Sequence, residues 1–560
     1  MCSMNRTKEN EWWKETTVYQ IYPRSYQDSN GDGIGDLQGI ISRLDYIKEL
    51  GFETIWISPF FVSPQRDFGY DIADYKAISP EYGTMEDCLR LIEEVHGRGM
   101  KIVFDMVLNH TSDEHPWFLE SASSKDNPKR DWYVWRDGKG PGKPPNNWLS
   151  QVGGSGWHFS EKTGQWYWAA FLPFQPDLNY RNPEVKETMF NILRFWLDKG
   201  VDGFRLDIIG AIFEDAQFRD NPLSARLLPG PESGDKFFRS VEMIENLPET
   251  IEFARELRSV LDEYEGRFLL GETFGSLSAL RDFTGREKPD GLHCTFVFKS
   301  MMTPMKAPAL RKLIREQEST FPEPWIPTWV YANHDRMRRF TCYKGDERLI
   351  RLQVLLQHTA RGIPITYQGE EIAMAQASIT HRDALDPVAH AYDRLPGFLF
   401  NMFNNMTGGA MNRDGCRTPM QWDTSGNSGF SPENCKTWLP LNKDFEQCNV
   451  ALQERDPSSL LNFYRKILTL RNSERALRAG ELKLMDSSSS KILAYERRDG
   501  KNSLLVLMNL SGGTVQISSF TRGTLLLSTD SGRFGISDID QLGPYEGRIY
   551  RGSTEDYEQS

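Results

Sequence analysis

Three carboxylic acids in this sequence stand at the ends of apolar segments, where charge is rarely placed. Arg205 and Asp207 end one apolar run, Glu272 ends a second and Asp335 follows a third. Side chains two residues apart on a strand point to the same face, so Arg205 and Asp207 would lie side by side. Charged groups are rarely buried unless paired, and the guanidinium would hold Asp207 ionised near neutral pH. A structural Arg–Asp pair explains this one segment equally well.

Two carboxylic acids are sufficient for retaining cleavage of a glycoside. One attacks the anomeric carbon and the other protonates the leaving oxygen, at a separation of about 5–5.5 Å. Because burial and mutual repulsion raise the pKa of one member, Glu272 is the natural protonated acid and the ionised Asp207 the natural nucleophile. We expect Asp335 to hold sugar hydroxyls more strongly as the oxocarbenium-like transition state develops.

The elements that must position these residues alternate along the chain. Apolar runs predict eight strands, at 18–22, 54–58, 102–107, 203–207, 268–272, 294–298, 328–332 and 363–367. Amphipathic segments predict helices between them, at 37–50, 85–98, 184–199, 248–264, 307–317 and 348–359. This alternation predicts an α/β fold, a closed (β/α)₈ TIM barrel. The active site of such a barrel lies at the C-terminal ends of its strands, where the three carboxylic acids would converge.

Three domains are predicted. The catalytic barrel covers 1–107 and 177–474, and an inserted subdomain after strand 3 covers 108–176, a connection too long for a simple loop. A second irregular insertion follows strand 8 at 373–435, and a helix covers 457–471. Short alternating strands predict a C-terminal antiparallel β-sandwich domain at 475–560.

The composition of this 560-residue chain argues against several classes of binding partner. Its net charge of −12 argues against binding to a nucleic acid backbone. The sequence has no apolar run of about 18 residues, and the polar segment 1–10 does not resemble a signal peptide. The seven cysteines are scattered without a CxxC motif, which favours reduced thiols. We therefore expect a cytoplasmic monomer or weak homodimer that acts on a small sugar, with neither nucleic acid nor membrane as a partner.

Several ordered motifs carry a resemblance over nearly the whole chain. They lie at 13–26, 69–71, 105–110, 203–207, 271–272, 333–335 and 413–422. With them the chain resembles the alpha-amylase family, glycoside hydrolase family 13, in its alpha-glucosidase and oligo-1,6-glucosidase branch. The resemblance implies a retaining exo-acting alpha-glucosidase. Such an enzyme releases glucose from the non-reducing end of isomalto- or malto-oligosaccharides or sucrose through a covalent glucosyl intermediate.

The resemblance also implies roles for individual residues. Asp207 matches the nucleophile, Glu272 the acid/base and Asp335 the transition-state stabiliser. The residues that it implies for substrate binding are Tyr70, Asp71, His110, Phe171, Arg205, His334 and Arg338. Within this set, Tyr70 and Asp71 match a pair that closes a blind pocket around the terminal glucose, and Phe171 matches a wall of the cleft.

An acidic loop near the N-terminus predicts a metal site. Oxygen ligands occupy alternate positions, as in half of an EF-hand, at Asp28, Asn30, Asp32, Ile34 and Asp36. The twelfth position is Gly39 and not the bidentate glutamate of an EF-hand, so a solvated Asp/Gly turn is the alternative interpretation. The resemblance supports a structural Ca²⁺ or Mg²⁺, with the Ile34 carbonyl among its ligands. No organic cofactor is expected.

Two positions bear on specificity. Ile208 follows the nucleophile, where valine resembles the isomaltose-cleaving members of the family and threonine or alanine the maltose-cleaving members. Arg336 occupies a place where many relatives carry glutamine, and it would put an extra cation near the leaving-group side. The preferred linkage stays open, as do transglucosylation and sucrose- or trehalose-type isomerisation. A non-catalytic binding protein on the same fold is the alternative from another class, and the intact triad argues against it.

Overall fold

The structure is a computed structural model that describes residues 11–227, 233–485, 489–520, 522–530 and 540–552. The polar segment 1–10 and the end of the predicted C-terminal domain, 553–560, lie outside the described residues. In the part of the chain that is described, no helix is both long enough and apolar enough to cross a lipid bilayer.

Eight parallel strands form the central sheet, and the prediction of a (β/α)₈ barrel is confirmed. The strands are β1 Val18–Ile21, β2 Thr54–Ile57, β3 Lys101–Met106, β4 Gly203–Leu206, β5 Phe268–Gly271, β6 Cys294–Thr295, β7 Thr328–Val330 and β8 Ile363–Tyr367. They are ordered β6-β5-β4-β3-β2-β1-β8-β7, so β6 and β7 form the two edges of a nearly closed barrel.

Strand β4 packs closely against its neighbours. Its register places Arg205 beside Asp105 of β3 and beside Leu270 of β5. A Cβ atom added at Gly203 would lie 2.2 Å from the Phe268 carbonyl oxygen, so the close approach of β4 to β5 requires glycine there. The arginine that neighbours the predicted nucleophile is thereby placed next to a second carboxylate, Asp105.

Amphipathic helices cover the barrel: Leu37–Ser42, Leu44–Leu50, Met85–Gly97, Pro183–Asp198, Pro248–Leu261, Leu277–Thr284, Ala307–Thr320 and Glu347–Thr359. Thr84 and Asp87 form a capping box at the start of Met85–Gly97, which buries positions 88, 91, 92 and 95 on one face. The single helix predicted at 37–50 is two helices, because Arg43 leaves helical geometry between them. Its guanidinium lies 4.1 Å from the centre of the Trp422 ring.

A small aromatic unit follows β3. The helix Pro116–Ser121 precedes an antiparallel sheet in which Gln165–Trp168 lies between Trp135–Arg136 and Trp157–Ser160. Trp148 and Trp157 stack with ring centres 5.8 Å apart, and Trp168 packs edge-on against Trp148. The unit also packs against Phe218, Val241, Met243 and Ile244. These residues belong to a long irregular segment after β4 that the sequence analysis did not mark as an insertion.

The chain after β8 contains the short helices Pro387–His390 and Gly397–Met406, then Leu460–Ser473, where 457–471 was predicted. The predicted antiparallel C-terminal sheets are confirmed. The larger sheet has the order Glu481–Leu484, Ile492–Asp499, Asn502–Asn509, Gly547–Arg551, Leu525–Ser528. Val515–Gln516 pairs with Gln541–Leu542. The sequence analysis did not single out Gly547–Arg551, which pairs with both 502–509 and 525–528 in the finished sheet.

Candidate active site

Arg205 lies at the centre of the carboxylate cluster at the top of the barrel. Its side chain is 1% exposed, and its Nη1 donates to both Asp105 oxygens at 2.8 and 2.9 Å and to Asp207 Oδ1 at 2.8 Å. Its Nη2 donates to Glu272 Oε2. One buried cation therefore orients three carboxyl groups from three neighbouring strands. The predicted contact between Arg205 and Asp207 is present, together with the partner Asp105, to which the sequence analysis gave no role.

Burial sets the protonation of the two facing acids. It raises the pKa of Asp207 to about 7, although Arg205 lowers it. It also raises the pKa of Glu272 to about 8. A hydrogen bond between the two side chains lowers the pKa of Asp207 and raises that of Glu272. Glu272 is therefore the acid that keeps its proton, as predicted. Burial opposes the effect of Arg205 on the pKa of Asp207, so the ionisation of Asp207 near neutral pH stays a prediction.

Asp335, after β7, has a different environment. It accepts hydrogen bonds from Arg417 Nη2 at 2.8 Å and Arg413 Nη1 at 3.4 Å, and His334 Nε2 lies 3.1 Å from its Oδ2. Burial raises its pKa, but His334 and the two guanidinium groups outweigh burial and hold the pKa well below the usual range. Asp335 is therefore a fixed negative charge beside two acids that titrate near neutrality.

His334 contacts side chains that come from different parts of the barrel end. Its Nδ1 lies 2.7 Å from Gln20 Nε2, and its Nε2 lies 2.7 Å from the Tyr70 hydroxyl, which donates to Asp105 Oδ2 at 3.1 Å. Because the Gln20 amide donates to Nδ1, the Nε2 atom carries the ring hydrogen. Burial lowers the pKa of His334 to about 3, so the ring is neutral. Both Tyr70 and His334 therefore position carboxyl groups.

His110 and Phe171 line the cavity together, with ring centres 5.7 Å apart. His110 Nε2 donates to the Tyr70 carbonyl at 3.1 Å, and burial lowers the pKa of His110 to about 4. Asp71 does not reach the cavity. It is fully buried and accepts hydrogen bonds from the backbone N–H groups of Arg66 and Asp67, both at 3.0 Å. Asp71 therefore holds the loop that carries Tyr70.

A buried ion pair that the sequence analysis missed also lines the cavity. Arg413 Nη2 donates to Asp67 Oδ1 at 2.6 Å and to Asp386 Oδ1 at 2.7 Å, and Gln175 Nε2 donates to Asp67 Oδ2 at 3.0 Å. Arg413 lies in the motif at 413–422 that the sequence analysis used, and Gln175 lies in the predicted inserted subdomain. Asp67 and Arg413 are 346 positions apart, however, and no local pattern connects them.

The cavity has a volume of about 680 Å³, within the range of small-molecule sites. The predicted residues that line it are Tyr70, His110, Phe171, Asp207, Glu272 and Asp335. Arg205, His334 and Asp71 lie outside this lining and support it. Arg338 also lies outside it: it is 1% exposed, and its Nη1 donates to the Gln368 carbonyl at 2.9 Å. In this arrangement Arg338 offers no contact to a sugar in the cavity.

Ile208 and Arg336 both line the cavity close to the acids. Ile208 has a φ of +33°, a left-handed conformation that is strained for a β-branched residue. This strain turns the chain directly after Asp207. Arg336 forms no ion pair among the described residues; its Nη1 donates to the Thr407 carbonyl at 2.8 Å. Its cation lies in the field of Asp335 and Glu272.

The acidic loop near the N-terminus is held together by its own hydrogen bonds. Asp28 accepts from the N–H groups of Asn30, Gly31 and Gly33, and Asp32 accepts from that of Ile34. Asp36 caps the helix Leu37–Ser42. Within the described ranges, no group of three or more His, Cys, Asp or Glu side chains is arranged to hold a metal ion. The predicted ligand set also includes the Asn30 amide and the Ile34 carbonyl, and the divalent cation stays a prediction.

Comparison with known proteins identifies the class to which this barrel belongs. The alpha-amylase catalytic domain family matches residues 20–480. A probable alpha-glucosidase from Rhizobium meliloti (strain 1021) is 40% identical over 520 residues, which cover 90% of each chain. An oligo-1,6-glucosidase from Parageobacillus thermoglucosidasius is 37% identical over 574 residues, which cover 97% of this chain and 99% of that protein.

Solved structures with the same fold include an alpha-glucosyl transfer enzyme and a trehalulose synthase. An alpha-glucosyl transfer enzyme, XgtA, has a TM-score of 0.86 at 37% identity, with 97% of this chain and all of that chain covered. The trehalulose synthase MutB from Pseudomonas mesoacidophila MX-45 has a TM-score of 0.86 at 32% identity, with 96% and 99% covered. The chain belongs to the alpha-amylase family, glycoside hydrolase family 13. It is a glycoside hydrolase, and its relatives are named alpha-glucosidase and oligo-1,6-glucosidase.

Proposed function

We propose that this enzyme is a retaining, exo-acting alpha-glucosidase that releases glucose from short alpha-glucosides such as isomalto- or malto-oligosaccharides or sucrose. The observation that carries the proposal is the pair Asp207 and Glu272, bridged by Arg205, in one cavity with the ionised Asp335. The relatives named alpha-glucosidase and oligo-1,6-glucosidase support the choice of glucose as the released sugar.

The proposed reaction has two steps. The Asp207 carboxylate attacks the anomeric carbon while Glu272 gives its proton to the leaving oxygen, so the carbon–oxygen bond breaks and a neutral alcohol departs. Glu272, now ionised, then takes a proton from water, whose oxygen attacks the same carbon and frees Asp207. Asp335 holds sugar hydroxyls through both steps, and its permanent charge favours the oxocarbenium-like transition state.

A transglucosylase, or an isomerase of sucrose or trehalose type, is the alternative. It would use the same glucosyl intermediate and let a sugar replace water in the second step. Two observations support this alternative function. XgtA is named a glucosyl transfer enzyme and MutB a trehalulose synthase. The side of the cavity near Glu272 is also lined by apolar residues, among them Phe274, Phe298 and Met302, which would disfavour water.

Time-resolved analysis of products from maltose, isomaltose, sucrose and trehalose tests the proposal, with Asp207→Asn as the control. We expect glucose release by the native enzyme, initially as the α-anomer in a proton NMR spectrum, and none by the variant. Initial release of the β-anomer would contradict retention. New disaccharides formed ahead of glucose would favour the alternative. Equal inactivity of both proteins on all four sugars would contradict the proposed function.

A further inference from the structure

Several apolar side chains line the cavity together with Glu272 and the Arg336 guanidinium. We call this surface the apolar wall and define it by Phe274, Phe298, Met302, Phe403 and Met406, all of which line the cavity. The rings of Phe274 and Phe298 stack with centres 5.4 Å apart. Met302 is 47% exposed and Met406 is 62% exposed, although both are large and apolar. Apolar surface left open in a binding site is typical of a surface that meets an apolar ligand.

The apolar wall is built from the ends of β5 and β6 and from a helix beyond β8. Phe274 follows Glu272 by two residues, at the end of β5, and Phe298 and Met302 follow β6. Phe403 and Met406 belong to the helix Gly397–Met406, which is tied to the end of β7. The ties are a hydrogen bond from Arg336 Nη1 to the Thr407 carbonyl and one from the Met337 N–H to the Gly408 carbonyl, both 2.8 Å. These hydrogen bonds join the C-terminal end of that helix to the segment after β7.

Three polar side chains that also line the cavity are bonded to one another. Lys236 is 4% exposed, and its Nζ donates to Gln151 Oε1 at 2.6 Å. Gln151 Nε2 in turn donates to Glu245 Oε1. A second sugar would bring several hydroxyl groups, each of which loses free energy if it is buried without a partner. The apolar wall offers those hydroxyls no partner.

We propose that the leaving-group side of this site takes an alcohol with an apolar chain or ring in preference to a second sugar. The proposal rests on the proposed function, because Glu272 protonates the leaving oxygen and the leaving group must therefore lie on its side. In transfer, the alcohol gives its proton to ionised Glu272 and its oxygen bonds to the anomeric carbon. The ester bond to Asp207 breaks in the same step, and no further reactant is needed.

The first experiment compares kcat/KM for methyl α-glucoside, n-hexyl α-glucoside and isomaltose. The hexyl glucoside and isomaltose both release a primary alcohol, so they differ mainly in what surrounds that alcohol. Each buried methylene favours binding roughly fourfold. We expect the hexyl glucoside to exceed the methyl glucoside by about tenfold or more, since part of the chain is buried, and to exceed isomaltose as well. A hexyl glucoside no better than the methyl compound, with isomaltose preferred, would overturn the proposal.

The second experiment tests whether the apolar wall causes the preference for the hexyl glucoside over the methyl glucoside. Met406→Gln changes a residue of the wall, and Met402→Gln makes the same change on the same helix at a residue that is 46% exposed and outside the wall. We expect the hexyl-to-methyl ratio to fall about threefold or more in Met406→Gln and to stay at the native value in Met402→Gln. Equal ratios in all three proteins would overturn the proposal. Met302→Gln repeats the test at β6, and a melting temperature for each variant establishes that it is folded.

Asp207→Asn separates the two proposals. If the native enzyme cleaves glucosides and this variant does not, but chain length has no effect, only the preference for an apolar alcohol fails. If the native enzyme and the variant are equally inactive on all three glucosides, both the proposed function and the inference drawn from it fail.

Discussion

The Arg205 guanidinium bridges Asp207 and Glu272: one terminal nitrogen donates to Asp207 at 2.8 Å and the other donates to Glu272. It is 1% exposed, so water contributes little to neutralising these groups. Removal of a single partner from such a buried cluster costs about 3–5 kcal/mol, because a charge is left uncompensated. The cluster is therefore where the site is most sensitive to substitution.

Arg205→Lys tests the bridging geometry. A lysine keeps the charge but offers a compact ammonium in place of the planar fork, so it cannot orient two carboxyl groups in the same way. We expect kcat/KM to fall by about a hundredfold or more, because small displacements of catalytic groups have effects of this size. Steady-state kinetics on an aryl α-glucoside would measure it. Arg194→Lys, on the exposed pair with Glu263, is the matched control and should retain native activity.

The pH dependence of kcat/KM should be bell-shaped. Below about pH 7 the Asp207 carboxylate becomes protonated and cannot attack, and above about pH 8 Glu272 loses the proton that the leaving group needs. The two acids interact, so the limbs report the pair and not each residue alone. Rates measured across the pH range with isomaltose check this. In Glu272→Gln, the residual activity on a nitrophenyl α-glucoside should lose the alkaline limb. Retention of that limb would contradict the assignment of the acid.

Ile208→Thr should change the preferred linkage. Ile208 lines the cavity directly after Asp207, and the substitution replaces an apolar branch with a hydroxyl. We expect the ratio of kcat/KM for maltose to that for isomaltose to rise by about tenfold, the usual effect of a methylene-sized change in a pocket. Ile208→Val keeps the side chain apolar and should leave the ratio close to native. If both variants moved the ratio equally, the strained backbone at this position would be the cause, and not the side chain.

Arg336→Gln should alter activity unequally across alpha-glucosides. The guanidinium lines the cavity, lies in the field of Glu272 and holds the Thr407 carbonyl at 2.8 Å, so its loss changes both charge and the position of the helix Gly397–Met406. Kinetics on maltose, isomaltose, sucrose and hexyl glucoside would measure the profile. Arg348→Gln, which removes an exposed cation paired with Asp346, is the control. An Arg336→Gln profile equal to that of the control would contradict a role in specificity.

A divalent cation in the acidic loop should be detectable by its effect on stability. A ligand that binds only the folded state stabilises it by about 2.7 kcal/mol at a hundred times its dissociation constant. We expect Ca²⁺ or Mg²⁺ to raise the melting temperature of protein treated with a chelator, and expect Asp32→Asn to remove most of that increase. Ser29→Ala keeps every predicted ligand and serves as the control. The same melting temperature with and without the cation would favour the Asp/Gly turn.

Much of the fold could be predicted from local pattern. Apolar runs that alternate with amphipathic segments define a parallel barrel, because each strand must be covered by the helix that follows it. The same logic placed Asp207, Glu272 and Asp335 at one end of the barrel, since the polar residue that ends an apolar strand leaves the sheet at its C-terminal edge. The spacing of Arg205 and Asp207 determined that their side chains share one face.

Only the tertiary structure decided the environment of each acid. The cations around Asp335 come from Arg413 and Arg417, about 80 positions away, and the apolar wall combines β5 and β6 with a helix beyond β8. Arg338 matches a family position in the sequence, yet packing places it behind the cavity. Burial also raised the pKa of Asp207 against the effect of its neighbouring arginine. Side-chain type and spacing are local properties of the chain, whereas burial and the distance between charges depend on which distant segments pack together.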